Sequence, residues 1–122
     1  AEEQFRRQSD RVRTFFAEDA LEGPELIEEL GRFVRGKRVF LTIDLDGLDP
    51  SIMPAVGTPE PGGLSWARTL EIVGVVCRES AALPVFDVVE LAPIPGLVGP
   101  DFLAAKLIYK ILSLALMPRL RM

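Results

Sequence analysis

The order of apolar and polar residues divides the chain into helices, two short strands and two long turn-rich loops. Phe5, Val12, Phe15, Phe16 and Ala20 recur on one side of a helical wheel and predict a helix over 4–21. Gly23 and Pro24 interrupt it, and Pro24 suits the first turn of a new helix. That second helix carries Leu26, Ile27, Leu30, Phe33 and Val34 at helical spacing and stops at Gly36. The run "RVFLTID", Arg38 to Asp44, is β-branched and aromatic. It is apolar on both faces, as buried parallel strands are. Residues 45–64 have no period and hold four prolines and four glycines. Long loops of that kind in compact domains are usually functional. Ser65 is placed to cap a helix from Trp66 to about Ala82. Pro84 ends the connection, and "VFDVVEL", Val85 to Leu91, predicts a second buried strand. A second loop, "APIPGLVGP", follows, and Pro100 and Asp101 open a last helix to about Leu116.

Strand, helix, strand, helix is the grammar of a parallel sheet covered by helices, so the fold class is α/β. Two strands alone do not make a stable parallel sheet. The sequence therefore reads as part of a larger α/β domain. Such a part should expose an apolar edge and dimerise or aggregate without its complement. Trp66, Tyr109 and the phenylalanines are expected in a core or at an interface.

Composition narrows the functions. The chain has 122 residues, 48% hydrophobic and 26% charged, which is a globular balance rather than a disordered one. Its net charge of −4 argues against nucleic acid, whose phosphates need a surplus of Lys and Arg. The small basic clusters, Arg35–Lys37–Arg38 and Arg119–Arg121, read as solvated faces or helix ends. No run of 18 apolar residues occurs, so no membrane partner is expected, and a cytoplasmic setting is the default. The single cysteine, Cys77, lies in an apolar helical run and reads as an inert buried thiol. With no histidine in the chain, it has no base to make it a nucleophile.

The chemistry is carried by carboxylates. Asp44 and Asp46 fall at the carboxyl end of the first strand, and Glu90 falls near the end of the second. Sites in open α/β sheets form at those ends. Period-2 spacing would put Asp44 and Asp46 on one side of an extended chain, where their repulsion calls for a cation between them. Oxygen donors favour Mg, Ca or Mn. The plain alternative is that these aspartates cap a turn, and for Asp49, followed by Pro50, the turn reading is the favoured one. An EF-hand loop counted from Asp44 fails, since Asp49 and Ala55 occupy the positions that need Gly and Glu. "DLDG" is also similar to the nucleophile motif of haloacid-dehalogenase-type phosphatases. Leu48 replaces the threonine expected there, and no acidic metal motif follows downstream.

"TIDLDGLDPSIMPAVGTPEPGGLS" closely resembles a signature of the ureohydrolases, the arginase/agmatinase family. The matching positions are Thr42, Ile43, Asp44, Leu45, Asp46, Pro50, Pro54, Ala55 and Gly63. "FDVVELAPI" resembles the family's glutamate-bearing strand, and "DFLAAKLIYKIL" resembles its C-terminal helix, so the likeness runs from about Val39 to Leu116. The wording "GTPEPGGLS" looks more like agmatinases than animal-type arginases. The resemblance implies a three-layer αβα fold with a parallel sheet and two manganese ions. Asp44 would bridge both ions, Asp46 would bind one, and Glu90 would contact the substrate guanidinium. The ions would activate a water for attack on the guanidinium carbon, releasing urea and an amine.

The family's remaining ligands are histidines and further aspartates in motifs that this sequence lacks. The resemblance therefore implies that residues 1–122 are the C-terminal part of one ureohydrolase domain, with the N-terminal metal-ligand half absent. This chain alone would hold no complete catalytic set and would be inactive. The partners implied are a small guanidino substrate and either further copies, as a trimer or hexamer, or a complementing N-terminal half. The competing expectation is an inactive remnant or assembly module without catalysis.

Overall fold

The computed structural model describes residues 2–9, 11–17 and 23–117. In chain order they form α1 (Glu2–Gln8), α2 (Glu25–Val34), β1 (Arg38–Asp44), α3 (Trp66–Glu79), β2 (Ala82–Val89) and α4 (Val98–Leu116). A single 3₁₀ turn, Leu45–Gly47, leaves the end of β1. The two strands pair in parallel with α3 as the crossover between them, as the strand–helix–strand pattern requires.

Local chemistry explains most boundaries. Pro24 precedes the first residue of α2, and Gly36 follows it at φ 70°, a left-handed conformation that suits glycine. The Gly36 N–H then reaches the Glu79 carbonyl at 3.0 Å, and the Ala81 N–H reaches the Lys37 carbonyl at 2.8 Å. These two bonds lock the entry of β1 beside the exit of α3. Arg35 and Glu79 pair across the same junction at 2.9 Å, an exposed pair that contributes little by itself. Ser65 caps α3, its hydroxyl accepting the Arg68 N–H at 3.1 Å. Ser65→Ala removes that cap bond, and urea unfolding should report a loss of about 1 kcal/mol.

Three boundaries differ from the sequence reading. Of the helix expected over 4–21, the described residues are helical at Glu2–Gln8 and again at Ala17, and 12–16 have no regular structure. Ala20 lies outside the described residues, as do Arg119 and Arg121. Phe5 and Phe16 are 63% and 52% exposed. A long helix needs an apolar face buried against a core, and the core described here does not reach this segment. The helix α3 ends at Glu79 rather than near Ala82, because Ser80 turns to an extended conformation. Strand β2 begins at Ala82, so Pro84 lies inside it. The register advances two residues on β1 and three on β2 across this stretch, from Arg38↔Ala82 to Phe40↔Val85. Such an irregularity tolerates a residue with no N–H.

The core lies on one face of the sheet. Leu41 and Ile43 of β1 and Phe86 and Val88 of β2 pack against buried Val73 of α3 and Ala104, Leu107 and Ile111 of α4. The long loop after β1 adds Leu45, Leu48, Met53, Ala55 and Val56 to the same cluster. This explains how a loop without periodic structure stays ordered: it is folded inward on its own apolar residues. The other sheet face is open, although both strands read as buried on both sides. Phe40 and Val85, opposite one another in register, are 61% and 56% exposed. Cys77 is half-buried, and burial pushes its thiol above the ordinary range, as expected for an unreactive thiol. Among the described residues no helix is long and apolar enough to cross a membrane.

Candidate metal and guanidinium site

Asp44 is the last residue of β1, and its register partner on β2 is Val89, so Glu90 follows directly at the same end of the neighbouring strand. The sheet thus brings Asp44, Asp46 and Glu90 to one carboxyl edge, the end at which α/β sheets build sites. Asp44 and Glu90 are exposed and Asp46 is half-buried.

The relation between the two aspartates is not that of an extended chain. The strand ends at Asp44, and the next three residues turn. The Asp44 Oδ1 accepts the Asp46 N–H at 2.9 Å and so caps that turn. The capping role and a place at the strand end therefore coexist in one side chain. The Asp46 carboxylate is held by Thr58 across the loop, with Oδ2 accepting the Thr58 hydroxyl and Oδ1 the more distant Thr58 N–H. Thr58 was missed by sequence reasoning. It is a lone hydroxyl in a Gly/Pro-rich loop, and only the fold of that loop brings it beside residue 46.

Asp49 holds the loop, as its turn reading anticipated. Its Oδ1 accepts the Ser51 N–H at 2.9 Å and its Oδ2 accepts the Gly62 N–H at 3.1 Å. Hydrogen bonds from Ser51, side chain first and then backbone, and from the Gly62 N–H keep this carboxyl below its usual range. A carboxyl depressed in the folded state contributes stability above its unfolded value. That contribution is lost as pH falls through the folded value. The unfolding midpoint of the wild type should therefore fall more steeply on acidification below about pH 4 than that of Asp49→Asn.

Glu90 ends β2 sooner than the sequence suggested. Its φ of 68° puts it in the left-handed region, where a non-glycine residue is rare, and this turns the chain out of the strand after Val89. Two residues on, the Ala92 N–H donates to the Ala55 carbonyl at 2.8 Å. That bond ties the loop after β2 to the loop after β1, so the segment carrying Glu90 and the one carrying Asp46 and Thr58 are fixed to each other. Backbone strain held by surrounding contacts is a recurrent feature of functional sites.

The described residues contain no group of three or more His, Cys, Asp or Glu side chains able to hold a metal. A depression of about 880 Å³ between α2 and α3, around Ile27, Arg68 and Glu71, includes none of Asp44, Asp46 and Glu90.

Known proteins share this architecture. The chain is 40% identical over 102 residues to an N(1)-aminopropylagmatine ureohydrolase of Synechocystis sp., covering 84% of this chain and 33% of that protein. It is 37% identical over 81 residues to the hepatic arginase of Aquarana catesbeiana, covering 64% of this chain and 25% of that protein. Among solved structures, a hypothetical agmatinase from Burkholderia thailandensis superposes with a TM-score of 0.74 at 29% identity. That match covers 91% of this chain and 39% of the other. The agmatine ureohydrolase of Thermoplasma volcanium superposes with a TM-score of 0.72 at 29% identity, covering 94% and 39%. The chain thus spans a quarter to two-fifths of these relatives, and the phosphatase-like reading of "DLDG" gains no support. A sequence model of the Arginase family matches residues 1–113, and the chain belongs to that family.

Proposed function

We propose that residues 1–122 form the C-terminal part of a single ureohydrolase domain that hydrolyses a guanidino compound of the agmatine type to urea and an amine. The observation that carries this reading is the placement of Asp44, Asp46 and Glu90 at one edge of two adjacent parallel strands in an arginase-family chain.

The donor chemistry fits divalent manganese in part. Both aspartates offer hard carboxylate oxygens. The Thr58 contacts orient Asp46, and the Asp46 N–H orients Asp44. Two carboxylates are a partial set, so the other ligands would come from residues outside this segment. When bound, a manganese pair would lower the pKa of a water and polarise the substrate. Glu90 would hold the cationic guanidinium by charge-assisted hydrogen bonds. The segment by itself is proposed to be inactive, and a cytoplasmic setting goes with the same reading.

The test is urea release from agmatine, arginine, aminopropylagmatine and guanidinobutyrate, with manganese supplied, by the complete polypeptide that carries these residues. Release from none of the four would contradict the proposal. A second reading, an assembly module without catalysis, is favoured by the missing third ligand among the described residues. Tight stoichiometric manganese binding by the 122-residue segment would rule that second reading out.

A further inference from the structure

Asp87 is the one charged residue of β2. Phe86 and Val88, on either side of it, pack into the core. Successive residues of a strand alternate, so Asp87 lies on the open face of the sheet. Its register partner there is Thr42, and its neighbours along the strand on that face are Val85 and Val89, both exposed. The Asp87 Oδ1 is shut off from solvent and accepts no hydrogen bond among the described residues, from Thr42 or any other. A buried acceptor without a donor is rare and costly, so this oxygen calls for a donor that residues 1–122 do not supply.

The position of Asp87 relates that donor to the candidate metal edge. Asp44 pairs in register with Val89, two residues beyond Asp87 on the same face. The offset is about 7 Å along the strand. A side chain that binds a metal with one atom and donates from another can span it. Among metal-ligating side chains, carboxylates and thiolates have no donor to give. An imidazole binds through one ring nitrogen and donates through the other. The chain has no histidine. We infer that Asp87 is a positioning residue of the proposed site, its carboxylate accepting the ring N–H of an imidazole ligand to manganese that residues outside 1–122 supply. This rests on the ureohydrolase reading of the chain. Asp87 touches neither metal nor substrate, and it fixes the tautomer and tilt of the ring that holds the metal.

The test uses the complete polypeptide, wild type and with Asp87→Ala or Asp87→Asn. Calorimetric titration with manganese after chelation should show affinity lowered roughly ten- to a hundredfold in Asp87→Ala, the range over which metal sites answer to loss of such a support. Asp87→Asn, whose amide oxygen still accepts an N–H, should lose less. Pulsed EPR of manganese bound to the wild type should show coupling to a ligand nitrogen. Urea unfolding of the chelated proteins exposes a merely structural role: a packing partner such as a lysine or a backbone N–H would make Asp87→Ala unfold earlier and leave manganese affinity unchanged. Unchanged affinity in Asp87→Ala overturns the inference, as does bound manganese without nitrogen coupling or a wild type that binds none. If Asp87→Ala fails to fold, unchanged affinity in Asp87→Asn overturns it instead. Urea release measured on the same samples separates the two proposals. Nitrogen-coupled manganese that Asp87→Ala loosens, without urea release from the wild type, leaves the role of Asp87 standing and the ureohydrolase reading fallen. Urea release with affinity untouched by either variant does the reverse.

Discussion

Asp44→Asn or Asp46→Asn in the complete polypeptide should lower urea release at least about a hundredfold, the scale on which support of a metal site is lost. The substitution is informative because it preserves the local fold. The Oδ1 of an Asn at 44 can still accept the Asp46 N–H that caps the turn, and an Asn oxygen at 46 can still accept the Thr58 hydroxyl. What changes is the charge. A neutral amide in place of either carboxylate would offer manganese a weaker ligand and less charge compensation. Bound manganese should fall together with activity while the unfolding midpoint moves little. Unchanged urea release would mean that these carboxylates are turn caps alone.

Gly63→Ala should be the most damaging small substitution in the chain for stability. A methyl at 63 would lie 2.5 Å from the Leu48 carbonyl carbon, 2.6 Å from the Asp49 nitrogen and 2.7 Å from the Leu48 oxygen. All three are backbone atoms and cannot rotate aside. The same contact region is where the loop is stitched to itself: the Leu64 N–H donates to the Gly47 carbonyl at 2.9 Å and the Asp49 N–H to the Leu64 carbonyl at 3.1 Å. Relieving the clash pulls these bonds apart beside fully buried Leu45 and Leu48. An overpacking cost of about 3 kcal/mol is expected in urea unfolding. Gly57→Ala, with open space around its Cα, should stay within about 0.5 kcal/mol. Equal midpoints for the two variants would contradict the close approach.

The parts of this fold that local chemistry decides were legible in the sequence. β1 was readable to the residue, because a β-branched run sits between Gly36 and the aspartates. Ser65 announced α3, and Pro100 and Asp101 announced α4 to within a turn. The features set by distant contacts were not legible. Phe5, Phe15 and Phe16 have helical spacing, yet 12–16 have no regular structure, since spacing cannot say whether a core is present to pack against. Asp44 and Asp46 were legible as a pair at a strand end, but their arrangement came out as a capped turn rather than one rung of an extended chain. Thr58 is twelve residues from its acceptor, and its role depends on a loop path that no periodicity encodes. The two-sided apolar character of the strands was visible, and its physical reading as a need for further neighbours agrees with exposed Phe40 and Val85.

The most direct measurement of the central claim is the mass, manganese content and urea release of the polypeptide purified from its source cells with anything it holds tightly. The account predicts a mass, alone or in complex, well above the 13.4 kDa of this segment, about two manganese ions per site, and urea released from a guanidino substrate. A single species of 13.4 kDa without manganese and without urea release would contradict it.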